Sequence, residues 1–226
     1  MRIEREAAPA AVPPAPAPGR ARPAAPRRVR RWPLQVATIA LGLLPVAKIV
    51  WDGLGGGLGA NPIETVLNRL GFWTLTLLTL ALVPTPAHEL LGLAWPARIR
   101  RTLGLLAFGY ASLHLLFYVG VDQAGDPGLL LRDVVKRRFM AVGFCAWLIL
   151  LPLAVTSTKG WVRRLGYPRW KRLHRLVYAA ALLGVVHFVW RVKADLRRPI
   201  WFAAAIGVLL AARLVSAALR RRRGPT

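Results

Sequence analysis

Between residues 34 and 215 the chain is a succession of apolar blocks separated by short polar or glycine-rich stretches. Six of these blocks reach or approach the ~20 residues that a helix needs to cross ~30 Å of hydrocarbon. They are Leu34–Trp51, Gly71–Val83, Thr102–Val121, Phe139–Val155, Leu173–Trp190 and Pro199–Val215. The second is the shortest, and its end is open as far as Thr85. Backbone polar groups in hydrocarbon must be bonded within their own segment, so the blocks predict helices and not strands. The expected fold is all-α: an integral membrane six-helix bundle over residues 34–218, one domain because no segment between spans is long enough to fold alone.

The stretches between blocks sharpen this outline. Residues 52–62, DGLGGGLGANP, carry three consecutive glycines but no following Lys-Ser/Thr and no preceding strand. That excludes a phosphate-binding loop and leaves a flexible connector. Asn61-Pro62-Ile63-Glu64 has the form of a helix start with proline in its first turn, predicting an interfacial helix that leads into the second span. Pro84, Pro86 and Pro152 lie at or near span ends, where they terminate or kink helices. Trp32, Trp51, Trp95, Trp161, Trp170, Trp190 and Trp201 cluster near span ends, as interfacial tryptophans do. No internal repeat is evident. Residues 1–33 are rich in Pro, Ala and Arg, which predicts a disordered tail. They contain no apolar stretch of roughly 7–15 residues before a small-residue cleavage site, as a signal peptide would. Residues 219–226 form a second basic tail.

Charge changes the picture once it is mapped onto the spans. The net charge is +24, which on a soluble domain would point to nucleic acid. Here 22 of the 33 Lys/Arg fall in the N-tail, the 86–101 and 157–175 loops and the C-tail, and nine fall in the alternate loops. That asymmetry predicts both termini in the cytoplasm and lipid, not nucleic acid, as the contact of the basic residues. It is weakest at loop 191–198, which holds four basic residues.

Against this background three histidines stand out: His114, His174 and His187. An ionisable side chain at membrane depth is costly without a partner or a task, and imidazole is a common metal ligand. In a helical membrane bundle that metal is often haem iron. At 1.5 Å per residue His114 lies about 18 Å past Thr102, and His187 about 21 Å past Leu173. Spans three and five run in the same direction, so the two imidazoles reach similar depth, as two axial ligands of one haem require. His174 starts span five near the cytoplasmic surface. Thirteen steps of about 100° leave it on a different face from His187 in a straight helix. It is an alternative ligand, a holder of a second cofactor or a partner of a haem propionate. The competing reading of all three is helix–helix hydrogen bonding. His88, beside Glu89, reads as a surface residue.

Arg100, Arg101, Arg163, Arg164, Arg172 and Arg175 gather at the cytoplasmic mouth. Their guanidinium forks suit propionates or a flavin phosphate, and equally lipid phosphates. Asp133, Lys136, Arg137 and Arg138 lie on the outer side, where charge complementarity guides soluble partners. Cys145, the only cysteine, reads as a small buried apolar side chain. Ser112, Ser157 and Ser216 have no His–Asp pairing by spacing, so no catalytic centre for bond chemistry is expected.

The chain resembles the haem-binding membrane subunits of the bacterial periplasmic protein-methionine-sulfoxide reductase system, which are related to ferric-reductase-like transmembrane domains. The resemblance rests on an ordered series: NPIETVLNRLGFWTL (61–75), TLALVPTP (79–86), RRTLGLLAFGYASLHLLFY (100–118), RDVVKRRFMAVGF (132–144), LPLAVTS (151–157), RRLGYPRWKRLHRLVY (163–178) and HFVWRVK (187–193). It implies a transmembrane cytochrome b of the inner membrane, with haem b and FMN as cofactors. It implies His114, His174 and His187 as the metal-binding histidines; Arg101, Arg164 and Arg172, from the basic cluster at the cytoplasmic mouth, are the further cofactor-binding candidates. Electrons would come from the quinone pool or a cytoplasmic flavin reductase. They would pass to a periplasmic molybdopterin-containing methionine-sulfoxide reductase that repairs oxidised proteins. Two rival readings stay open on the residues: a stand-alone ferric or quinone-linked cytochrome, and a haem-free transporter or scaffold whose histidines relay protons or pack.

Overall fold

The computed structural model describes residues 32–192 and 195–222. The described residues form helices joined by short turns: α1 (Trp32–Leu54), α2 (Pro62–Leu82), α3 (Pro84–Leu91), α4 (Arg100–Phe117), α5 (Pro127–Lys136), α6 (Arg138–Val155), α7 (Lys159–Leu165), α8 (Tyr167–His174), α9 (Leu176–Arg191) and α10 (Arg197–Arg222). Six helical stretches are long and apolar enough to cross a membrane. The all-α, six-span architecture expected from the blocks is therefore present. Their outward faces carry Leu41, Leu44, Trp201, Val208 and Leu214 in the open, as lipid-facing surfaces do.

Boundaries differ where polar residues interrupt the apolar pattern. The expected interfacial helix and short second span are one helix, α2, which starts at Pro62. The Asn61 side chain accepts from Glu64 N at 3.2 Å and donates to Glu64 Oε2 at 3.0 Å, a reciprocal cap. Val66, Leu67 and Leu70 then face the core. The polar residues of this first part find partners instead of breaking the helix: Arg69 pairs with Asp52 and Glu64 with Arg191. The fourth helix continues through a π-turn, Tyr118–Asp122. The fifth span is split at Arg175 into α8 and α9. The last helix passes the expected end at Val215 and the expected tail boundary, reaching Arg222. Of the predicted N-terminal tail, Trp32 and Pro33 open α1, and residues 1–31 lie outside the described residues.

The core forms where α2, α4, α9 and α10 meet, around Leu75, Leu78, Leu82, Ala107, Tyr110 and Ile206. Ala107, Ala180 and Ala181 are wholly buried, and small side chains at such crossings let helix backbones approach closely. Cys145 is on the exposed side of α6, contrary to the buried position expected. The inward stripe of that helix is Ala146, Leu150 and Leu153, and a residue one step before Ala146 is turned away from it.

Three polar contacts fasten the bundle. Tyr110 Oη accepts from Val46 N at 3.2 Å and donates to Gly42 O at 2.7 Å. Those two groups are i and i+4 on α1, next to Pro45, so the phenol is wedged into the ladder of one helical turn where proline already removes a donor. Arg213 donates from Nη2 to Leu82 O at 2.8 Å and lies over the Tyr178 ring at 4.7 Å. The residue four positions after Leu82 is Pro86, which has no N–H to offer, so a guanidinium from α10 satisfies a carbonyl that its own helix cannot. Asp52, almost fully buried, accepts from Lys48 Nζ and Arg69 Nη1, each at 2.5 Å. The pair ties α1 to α2. Asp52→Ala is expected to lower the thermal unfolding midpoint of the purified protein in detergent. An unchanged midpoint shows that the ionic tie contributes nothing.

Candidate haem site

His114 and His187 come together. His114 sits near the end of α4 and His187 near the end of α9, and their ring centroids are 6.3 Å apart at an interplanar angle of 89°. Between α2, α4, α6 and α9 they line a cavity of about 460 Å³. Its walls are mostly apolar and aromatic, with Phe72, Leu75, Phe139, Met140, Phe144 and Trp147 among them. Trp147 is held in place by donating from Nε1 to Ser112 Oγ at 3.0 Å.

Each imidazole is tied at one nitrogen. His114 Nδ1 lies 3.0 Å from Leu67 O, and His187 Nδ1 lies 2.7 Å from Phe139 O. A carbonyl only accepts, so Nδ1 carries the proton in both rings and donates. That leaves Nε2 of each as the unprotonated nitrogen with a lone pair to give. Metal-ligating histidines are commonly fixed through their other nitrogen in this way.

The spacing suits an iron between the rings. The ring centroids are 6.3 Å apart, room for one metal ion that both imidazoles would hold through metal–nitrogen bonds of about 2 Å. Among the described residues no three His, Cys, Asp or Glu side chains gather to hold a metal on their own. Two protein nitrogens leave the other coordination positions to a macrocycle, and the apolar walls suit a porphyrin plane. The residues present therefore fit haem.

The mouth of the cavity is ionic. Arg191 Nη2 pairs with Glu64 Oε1 at 3.1 Å, and Arg137 Nε with Asp133 Oδ1 at 3.1 Å. Tyr118 donates to Asp133 and accepts from Gln123 Nε2. Arg137 and Arg191 line the cavity. From the sequence, Arg137 reads as part of a partner-facing surface and Arg191 as one of the basic residues of loop 191–198. A usable signal was present: Arg191 is four residues after His187, one turn along the same helix face.

His174 is elsewhere. Its Nε2 is 3.1 Å from Thr156 Oγ1, and its ring lies 4.1 Å from that of Trp170. It belongs to α8, across the break at Arg175, and does not line the cavity. Arg101, Arg164 and Arg172 do not line it either. All three are exposed, and Arg101 starts the helix whose far end carries His114, about 20 Å away along the axis. Arg164 lies over Trp161 at 5.5 Å, beside a shallow surface pocket with Thr158, Gly160 and Arg163. His88 is exposed, in agreement with the surface reading.

Comparison with known proteins fits this architecture. The family described as ferric reductase like transmembrane component matches residues 70–185, a stretch that contains His114 and His174 and ends two residues before His187. A protein-methionine-sulfoxide reductase heme-binding subunit MsrQ of Rhodospirillum rubrum is 53% identical over 84% of this chain and 91% of its own length. The same-named protein of Caulobacter vibrioides is 46% identical over 83% of this chain and 92% of its own. That of Deinococcus radiodurans is 48% identical over 80% and 89%. An aligned identity near one half along almost the whole bundle, with the family match across its centre, means that this chain belongs to the MsrQ branch of the ferric-reductase-like transmembrane family.

Proposed function

We propose that the chain is a b-type cytochrome subunit that holds haem b between His114 and His187 and relays electrons in a bacterial inner membrane. The observation that carries this is the imidazole pair: ring centroids 6.3 Å apart, Nδ1 of each ring tied to backbone, and room between them for a metal ion that both would hold. The relatives' name, heme-binding subunit, supports it. Haem iron supplies one-electron oxidation and reduction when bound. The chain's own residues fix the rings, exclude water with aromatic walls and offer Arg137 and Arg191 to the propionates. His174 is proposed as a second metal or cofactor contact at the other end of the bundle.

The electron acceptor is proposed to be a periplasmic molybdopterin-containing methionine-sulfoxide reductase, and the donor the quinone pool or a cytoplasmic flavin reductase. The basic-residue asymmetry supports cytoplasmic termini. In that orientation the His114–His187 end, with Asp133, Lys136, Arg137 and Arg138 beside it, is proposed to face the periplasm. FMN comes into the proposal through family membership, with Arg101, Arg164 and Arg172 as its candidate anchors.

The test is a visible spectrum of the protein purified from haem-replete cells. A reduced b-type spectrum is expected; a colourless, folded preparation rejects haem binding and favours the transporter or scaffold. Oxidation of the reduced haem on adding the periplasmic reductase with methionine sulfoxide is the result expected for the acceptor. His174→Ala is expected to keep the haem spectrum, since that ring lies outside the cavity, and to slow reduction by the donor. Complete loss of haem in that variant alone would mean that the ligands are misassigned.

A further inference from the structure

The two histidine sites are built alike. In the first, the carbonyl that accepts from His114 belongs to Leu67, and Gly71 stands four residues later on the same helix. In the second, the carbonyl that accepts from His187 belongs to Phe139, and Gly143 stands four residues later. A phenylalanine follows each glycine, Phe72 and Phe144, and both line the cavity. Each glycine precedes its histidine by nearly the same length of chain, 43 residues (71 to 114) and 44 residues (143 to 187). The absence of a repeat in the sequence reading thus conceals a device used twice, spread over four positions and invisible to a residue-by-residue comparison.

The glycines explain how the device works. A helix carbonyl points along the axis toward the residue four places on, so a ring that bonds it must lie against that residue. A Cβ at Gly143 would stand 2.5 Å from His187 Nδ1 and 2.7 Å from Cε1, closer than side-chain contacts tolerate. A Cβ at Gly71 would stand 3.5 Å from His114 Cε1 and 3.6 Å from Nδ1, ordinary contact. We infer that Gly71 and Gly143 are positioning residues: by leaving room for each imidazole on the flank of its neighbouring helix, they let the Leu67 and Phe139 carbonyls set which nitrogen faces the cavity and how the ring is turned. The halves are unequal. A Cβ at Gly143 fits only if the His187 ring moves, whereas Gly71 has space for a methyl group.

This inference rests on the haem reading, and its test separates the two. Wild type, Gly143→Ala and Gly71→Ala are purified with bound haem. Two properties are measured: the low-spin ferric electron paramagnetic resonance signal, which reports the relative orientation of axial ring planes, and the rate of haem loss to an excess of a scavenging apoglobin. Gly143→Ala is expected to shift the resonance and to release haem on the order of 10- to 100-fold faster, the scale on which outer-shell partners of a metal ligand act. Gly71→Ala is expected to match wild type in both. Should Gly143→Ala not accumulate, Gly71→Val supplies the same measurement in the other half, because its branches extend a Cβ already at contact distance, and it too should shift the resonance. Wild-type resonance and release in Gly143→Ala, or in Gly71→Val, overturn the inference. Equal perturbation by the two alanines overturns the stated inequality and with it the steric argument. A wild type that binds no haem at all rejects the earlier reading instead.

Discussion

His114→Ala and His187→Ala are each expected to lose most bound haem while the protein still inserts and folds. Each ring is one of the two imidazoles that line the cavity, and among the described residues no three His, Cys, Asp or Glu side chains gather to hold a metal without them. Removing an outer-shell partner of a metal ligand lowers affinity about 10–100-fold, and removing the ligand itself should exceed that. Folding should survive because the wholly buried contacts, among them Ala107, Tyr110, Ala180 and Ile206, are untouched. The check is haem per polypeptide by pyridine haemochrome, with membrane insertion followed in parallel. Wild-type haem content in both variants would rule out the pairing.

Tyr110→Ala is expected to produce the largest loss of stability, with haem stoichiometry preserved. Truncating a fully buried aromatic side chain costs about 3–5 kcal/mol, of which the area-transfer part is smaller where lipid replaces water. Val46 N and Gly42 O lose their phenol contact at the same time. Tyr110→Phe isolates that second part, at roughly 1–2 kcal/mol. No α1 residue lines the cavity, so the spectrum should stay as in wild type while the unfolding midpoint in detergent falls. A midpoint unchanged in both variants shows that the wedge in α1 carries no stability. Loss of haem in step with stability shows that α1 and the cavity are coupled.

The parts of the fold that follow from bulk apolarity were legible in the chain. Six blocks of apolar residues became six helices long and apolar enough to span a membrane, and the similar depth of His114 and His187, found only by counting residues, became a neighbouring pair. What escaped depends on partners distant in sequence. The helix start at Asn61-Pro62 was legible, but its unbroken run into the second span was not, because Glu64, Asn68 and Arg69 look like loop residues until Asp52 and Arg191 are placed beside two of them. Arg213 stands within an apolar block, and only the structure shows Pro86 freeing the Leu82 carbonyl it binds. The cofactor arginines were sought at the basic mouth because they are dense there, whereas the cavity is lined by two others, Arg137 and Arg191. Local density reports topology; it does not report which cation faces inward.

The imidazole pair stands close to one end of the bundle. His114 is three residues from the end of α4 and fourteen from its start at Arg100, about 20 Å of helix. Tunnelling slows exponentially with distance, so an electron delivered at the far surface faces a long leap unless the cofactor proposed at His174 divides it. A lipid-soluble quinol can diffuse sideways to the wall of the bundle and hand over its electrons at the depth of the rings. Of the two donors proposed, the eccentric position of the site favours the one that travels within the bilayer.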